Sequence, residues 1–300
     1  MKILVYGALN IDLIYSVDHI VIPGETIRAS ALEKSAGGKG ANQAAAAAKA
    51  GAEVYLAGRI GTEGGFLLSM LEPCGVNVAH VAQGPGATGQ ALIQLDKNGQ
   101  NAIVYYAGEN GEITASDAEK VIAAFGKGDM ISLQNELPCI PEMMKAAAKR
   151  GMSICYNPSP WDEKIRNFPL ELVDIFIVNE IEGPILANLP PQTPVDKVLA
   201  VLTNRFPGKE IILTAGKDGA YYGRDAEREK GDIIDLPVVD TTGAGDTFTG
   251  YYLAARMKNY PVSEALNFAC KAASIAVSIK GALGSIPWGK EVFMVKSSTP

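Results

Sequence analysis

Short apolar runs rich in β-branched residues recur along the chain, at Ile3–Tyr6, Val54–Ala57, Met130–Leu133, Ile154–Tyr156, Ile175–Val178 and Ile211–Leu213. Helix-length stretches separate most of them, among them Pro141–Arg150 and Val195–Arg205. Strands that are apolar on every residue are covered on both faces, and their alternation with helices implies parallel pairing through right-handed crossovers. The pattern predicts an α/β fold, a three-layer α/β/α sandwich around a mostly parallel central sheet. Two regions break this rhythm. Residues 11–36 and 87–110 read as strands with no helix between them. In the second, Leu92–Asp96 and Ala102–Tyr106 flank Asn98-Gly99, a hairpin signal because both residues tolerate positive φ. A small sheet built from these segments is too thin to stand alone, so it covers something or pairs with another subunit.

The run Ala44–Ala48 lies between Asn42 and Gly51, which fits a close-packed helix closed by a glycine C-cap. No linker, charge run or repeat with a period of 20–50 residues interrupts the chain. Residues 1–300 therefore read as a single domain, with the two irregular segments inserted as a lid.

Composition narrows the function. The chain is 47% hydrophobic and 20% charged with a net charge of −6, so it lacks the basic footprint of a nucleic-acid binder. Its two histidines, His19 and His80, and its cysteines at 74, 139, 155 and 270 form no CxxC or HExxH spacing. Scattered thiols of this kind fit a reduced, cytoplasmic protein. No apolar run reaches the roughly 18 residues that a membrane span needs, and Met1–Gly7 reads as a buried strand rather than a signal peptide.

Polar residues follow the apolar strands: Asn135 and Glu136, then Asn157, then Asn179, Glu180 and Glu182, then Thr214. Ligands of open parallel sheets bind at the carboxyl ends of the strands, so these residues point to one site. Strand ends are also where exposed turns begin, which makes any one of them weak evidence alone.

The densest constellation is Asp240-Thr241-Thr242-Gly243-Ala244-Gly245-Asp246-Thr247-Phe248-Thr249-Gly250. A strand at Ile233–Val239 is expected to lead in, and a helix through Tyr252, Leu253 and Ala255 to lead out. Gly243, Ala244 and Gly245 let the backbone approach a ligand while exposing the free N–H groups of a new helix, an anion site. Asp246 in that first turn could simply complement the dipole. Beside a phosphate cradle a carboxylate is costly unless it does chemistry, such as accepting a proton from an attacking hydroxyl. No GxxxxGK[ST] loop occurs, Gly243–Gly250 has the wrong glycine spacing for GxGxxG, and no GxGxxG follows the first strand, where Gly7-Ala8-Leu9-Asn10 stands. A second cluster, Ser35-Ala36-Gly37-Gly38-Lys39-Gly40-Ala41-Asn42, sets a lysine before the alanine helix, and Thr214–Gly219 forms a third, weaker turn.

Together these pieces resemble the ribokinase-like (PfkB) carbohydrate kinase family, from Gly7–Asp12 to Gly281–Pro287. Gly37–Asn42 and Asp240–Gly250 carry the specificity, and Asn179–Glu182 and Gln134–Pro138 match further family segments. The resemblance implies transfer of the γ-phosphoryl of ATP to a sugar hydroxymethyl group. Ribose, giving ribose 5-phosphate, is the first acceptor to consider; fructose, 2-keto-3-deoxygluconate or a nucleoside are the alternatives. By the same resemblance Asp246 is the base, with the amides of Gly243, Ala244 and Gly245 around the transferring group. Asn10, Asp12, Gly38, Lys39, Asn42 and Glu136 would hold the sugar. Asn179, Thr214, Gly216, Gly219, Gly245 and Cys270 would line the nucleotide, and Glu182 would hold Mg²⁺ through water. Asp240, Thr242, Ala276, Ile279, Gly281 and Ser285 would surround a monovalent cation such as K⁺.

Some residues depart from the family's pattern. Tyr105 stands at a lid position usually aliphatic, Gly61-Thr62-Glu63-Gly64 is less acidic than the usual loop, and Cys270 replaces a His or Asn. Ile279 stands where Arg is common, but there the backbone carbonyl would be the ligand. The lid is expected to pair two subunits into a homodimer and bury Ile93, Leu95 and Ile103.

Overall fold

The computed structural model describes residues 1–295. Nine strands form one sheet: β1 (Ile3–Tyr6), β4 (Val54–Ile60), β5 (Val76–Gln83), β8 (Met130–Gln134), β9 (Ser153–Asn157), β10 (Ile175–Asn179), β11 (Glu210–Thr214), β12 (Ala220–Arg224) and β13 (Glu227–Gly231). Their order is β13-β12-β11-β10-β9-β8-β1-β4-β5, parallel except for the β11–β12 and β12–β13 pairs. A second sheet contains β2 (Asn10–Val17), β3 (Ala31–Gly37), β6 (Gly89–Asp96) and β7 (Asn101–Tyr106), in the order β3-β2-β6-β7. The helices are α1 (Lys39–Lys49), α2 (Gly65–Leu71), α3 (Ala115–Ile122), α4 (Ile140–Lys149), α5 (Glu182–Leu186), α6 (Val195–Arg205), α7 (Ala244–Met257), α8 (Val262–Val277) and α9 (Gly289–Met294).

The three layers follow from side-chain alternation along fully buried strands. Ile3 and Val5 of β1 enter one core cluster with α1, α7 and α8, while Leu4 and Tyr6 enter the other with α3, α4 and α6. The same split recurs on β10, where Ile175 and Ile177 face one layer and Phe176 and Val178 the other. On α1 the alanine run is wholly buried, and Gly51 closes the helix at φ 86° with the amide of Ala52 on the carbonyl of Ala47.

The lid is two hairpins, β2–β3 and β6–β7, joined by the parallel β2–β6 pair, rather than a free-standing domain. Ile11 and Ala36 belong to the core of the body, and the Lys34 ammonium lies 4.1 Å from the Phe66 ring centroid. At its root the Glu109 carboxylate binds the Arg59 guanidinium and the amide of Gly86. The hairpin between β6 and β7 differs from a turn with two positive-φ residues. Only Gly99 is left-handed, at φ 80°, and Asp96 caps the loop by accepting from the amides of Asn98 and Gln100. That is a three-residue connection closed by a glycine bulge.

One predicted element is absent. Ile233–Val239 is not a strand: after Gly231 the chain leaves the sheet edge, Pro237 lacks a donor, and the amides of Val239 and Asp240 both turn to the carbonyl of Val277. The segment is held by the end of α8 instead of by a neighbouring strand.

Candidate active site

The carboxyl ends of β9–β11 open into a cavity of about 220 Å³ whose wall includes Lys39, Asn157, Asn179, Glu182, Thr214 and the turn from Thr241 to Asp246. Two helices begin at its edge. Gly38, at φ 93°, precedes α1, and Gly243, at φ 74°, precedes α7; neither conformation suits a residue with a Cβ. In the first turn of α7 the Ala244 amide donates to the Thr241 carbonyl, which leaves the amides of Gly245 and Asp246 without a backbone partner at the cavity, with the helix dipole behind them.

Asp246, in the first turn of α7, is buried, with 7% exposure. Both of its oxygens accept amide hydrogen bonds from α1: Asn42 Nδ2 to Oδ2 at 3.1 Å and Gln43 Nε2 to Oδ1 at 3.0 Å. The Lys39 ammonium faces the same group, and the Asp246 carboxylate, more than those of Glu136 and Glu182, holds it above the ordinary lysine range against the effect of burial.

Beyond Lys39, Glu136 and the lid residue Asp12 come together. The backbone amide of Lys39 donates to Glu136 at 3.0 Å. Burial pushes the Glu136 carboxyl up to about 7; Lys39 pulls it down, and Asp246 and Asp12 push it further up. Burial also raises Asp12 to about 6, and its carboxylate occupies the space a side chain on Gly37 would fill. Asn10 is buried, and its Oδ1 accepts from Asn110 Nδ2 at 2.8 Å. Tyr105 lies in register with Asp12 through Ala91, so both side chains share the inner face of the lid. Burial and the Glu136 carboxylate push the Tyr105 phenol up to about 12.

On the opposite side, Asn179 Oδ1 accepts from the amides of Ile181 and Glu182, while Glu182 accepts from the Asn179 amide at 3.3 Å. Burial raises the Glu182 carboxyl, opposed by Ser159, the Asn179 amide and Lys39. Thr214 closes the wall, and Gly216 and Gly219 form the left-handed turn beyond it, tied by the Ala215 amide to the Gly219 carbonyl.

Asp240 ties two loops together. Its Oδ1 accepts from the hydroxyl and amide of Thr242, and its Oδ2 from the amide of Gly281 at 2.9 Å. Burial alone would raise this carboxyl, but those bonds hold it below the usual range. The C-terminus of α8 reaches the same place, since the Val277 carbonyl accepts from the Asp240 amide at 3.1 Å, and Ser285 is buried.

Not every expected residue converges. Cys270 is buried in the core, its sulfur 3.1 Å from where a Cβ on Gly231 would stand, so the thiol packs against the sheet edge and not in the cavity. Asn135 turns away to donate to the Pro160 carbonyl, and Glu180 does not line the cavity. Glu63 of the less acidic loop accepts from the Thr88 amide at the foot of the lid. Sequence reasoning missed Gln43, Asn110, Ser132 and Ser159, and it named Gln134 only as part of the Gln134–Pro138 segment. A glutamine beside Asn42 in a helix otherwise made of alanine was the available signal for the first.

A phosphate-sized cradle of helix amides, a buried carboxylate within it and a lysine facing both, at the carboxyl edge of an α/β sheet, define a phosphotransferase for a small hydroxylated substrate. The profile of the pfkB family carbohydrate kinases matches residues 1–289, and the chain belongs to that family. The ribokinase of Staphylococcus aureus (strain COL) is 32% identical over 98% of this chain and 99% of its own length. Arabidopsis thaliana ribokinase, solved with ribose and ATP, superposes with a TM-score of 0.88 at 32% identity over 97% of each chain. Ribokinase from Cryptococcus neoformans var. grubii, solved with ADP, gives 0.85 at 33% identity over 97% of this chain and 98% of that one. Among the described residues no helix is long and apolar enough to cross a membrane, and no cluster of three or more His, Cys, Asp or Glu forms a metal site.

Proposed function

We propose that the protein phosphorylates ribose at its hydroxymethyl group with ATP, giving ribose 5-phosphate and ADP. The observation that carries this reading is the Asp246 carboxylate, buried at the start of α7 between the Gly243–Gly245 amides and the Lys39 ammonium. As the sugar oxygen bonds to the γ-phosphorus, the bridging P–O bond breaks with its electron pair on ADP, and the hydroxyl proton passes to Asp246. The transition state is loose, so alignment and charge neutralisation outweigh base strength. The Gly243, Ala244 and Gly245 amides and Lys39 take up the charge of the transferring group. Asn179, Thr214, Gly216 and Gly219 line the nucleotide side.

Asn10, Asp12, Gly38, Asn42 and Glu136 hold the sugar. Asn42 Oδ1 is buried without a partner, as an acceptor for a sugar hydroxyl would be before the sugar arrives. Glu182 presents one carboxylate, a donor set that suits Mg²⁺ retaining most of its water, and the bound ion would offset phosphate charge. Asp240, Ser285 and the carbonyls of Thr242, Ala276, Ile279 and Gly281 are hard oxygen donors suited to a monovalent cation, which would steady the cradle. The lid excludes water over the sugar. Its apolar row of half-buried Ile14 and Ile93 and exposed Ile103, in register across three strands, supports a homodimer through the lid.

A panel of sugars with ATP and Mg²⁺, read as ADP release, tests the reading. Ribose is expected to give the highest kcat/KM; 2-deoxyribose, fructose, 2-keto-3-deoxygluconate and nucleosides follow. No sugar-dependent ADP formation from any member would refute it.

A further inference from the structure

Strand β8 runs through the middle of the large sheet, yet it carries two polar side chains with almost no exposure, Ser132 at 0% and Gln134 at 1%. Facing them from α1 is Gln43, also at 0%. The three form one network: Ser132 Oγ donates to Gln43 Oε1 at 3.0 Å, and Gln134 Nε2 donates to the same oxygen at 2.7 Å. The other end of Gln43 donates to Asp246 Oδ1.

A carboxylate only accepts, so it fixes which end of the Gln43 amide turns toward it. The carbonyl end must then face β8, where Ser132 and Gln134 both supply donors. Gln134 keeps its own oxygen unpartnered, pressed toward Gly7. Packing alone does not account for this. Apolar residues of the same shape at all three positions would be nearly neutral for stability, whereas a partly satisfied polar network in a core is costly. The network ends on a single charged group, and that group is in the cavity.

Its geometric effect is specific. Asn42 and Gln43 are consecutive residues of α1, and each holds one oxygen of the carboxylate. Two fixed points set the carboxylate plane relative to the α7 amides. Phosphoryl transfer depends on such alignment, where an error of about 1 Å can cost about 100-fold in rate.

We propose that Gln43 is a positioning residue for phosphoryl transfer, aiming the Asp246 carboxylate through an amide that Ser132 and Gln134 anchor from β8. The proposal rests on Asp246 being the proton acceptor. Steady-state and single-turnover rates with ribose and ATP test it in Gln43→Met, which keeps length and loses the donor, and in Gln134→Met, which frees the Gln43 amide to rotate. Each is made alone and with Asp246→Asn. Gln43→Met is expected to lower kcat about 10- to 100-fold with ribose KM within about threefold. Gln134→Met is expected to lower kcat about 3- to 10-fold, and both losses to shrink below about twofold beside Asp246→Asn. Should Gln43→Met not fold, the Gln134→Met cycle decides. A kcat within threefold of the parent, or an equal loss with Asp246 already replaced, overturns the positioning role alone. An Asp246→Asn enzyme with parental kcat overturns the base assignment beneath it.

Discussion

Asn110 Nδ2 lies 2.8 Å from Asn10 Oδ1, and the same Asn110 amide pairs with both the N–H and the C=O of Leu9. One side chain thereby joins the end of the lid to the chain leaving β1, and it leaves the Asn10 NH₂ group free to donate to a substrate oxygen. Replacing Asn110 by Ala strands a buried amide and carbonyl at Leu9, a cost of about 1–3 kcal/mol per group. Ribose KM for Asn110→Ala is expected to rise at least about tenfold, with a lower melting temperature and a smaller change in kcat. Initial-rate kinetics and thermal denaturation check both.

Glu136 gives a pH signature. Its carboxyl stands near 7 in the folded chain against 4.5 for an unperturbed group, so between those values the folded state binds more protons than the unfolded. The stability it contributes is therefore fully present below about pH 4.5 and lost as pH rises through about 7. Compared with Glu136→Gln, the ligand-free parent is expected to lose melting temperature between pH 5 and pH 8. Ribose binding runs the other way, because ionised Glu136 accepts more hydroxyl bonds. Parallel melting curves of the two proteins across that range check the sign, and an unchanged difference between them counts against it.

Much of this architecture is written in the sequence because its strands are buried on both faces, which leaves an unmistakable apolar signature at Ile3–Tyr6 or Ile211–Leu213. The start of α7 was equally legible, since Gly243 and Asp246 sit at fixed offsets from a helix that follows at once. Ile233–Val239 misled because β-branched residues mark extended backbone whether or not a neighbouring strand exists. Cys270 lies on the face of α8 that packs toward Gly231, a contact across the sheet edge that no sequence pattern reveals. The link from Ser132 and Gln134 through Gln43 was hidden for a different reason. Their partners are far apart in sequence, and only the packing of α1 on β8 brings them to Asp246.

Gly243 adopts φ 74°, and a Cβ there would come within 3.2 Å of the Ala282 side chain. Gly243→Ala is expected to cost about 1–2 kcal/mol in stability from the left-handed backbone alone. The displaced amides should also lower kcat more than they raise ribose KM. Denaturant unfolding and initial rates measure the two effects separately.

Ile103 is 56% exposed at the end of the apolar row on the lid. A charge buried in a subunit interface is unfavourable, so Ile103→Lys is expected to move the protein from dimer to monomer at micromolar concentration. It should also raise ATP turnover without sugar, as the lid loses support. Sedimentation equilibrium of both proteins checks this, and a parent that is already monomeric contradicts it.

The central claim is that a sugar hydroxyl meets the terminal phosphate at Asp246. A crystal structure with ribose and a non-hydrolysable ATP analogue measures this directly. The account predicts the 5-hydroxyl within hydrogen-bond reach of the Asp246 carboxylate, about 2.6–3.2 Å, and the γ-phosphate on the Gly243–Gly245 amides. Ribose bound with that hydroxyl turned away from Asp246, or outside the space between Asn10, Lys39 and Glu136, would contradict it.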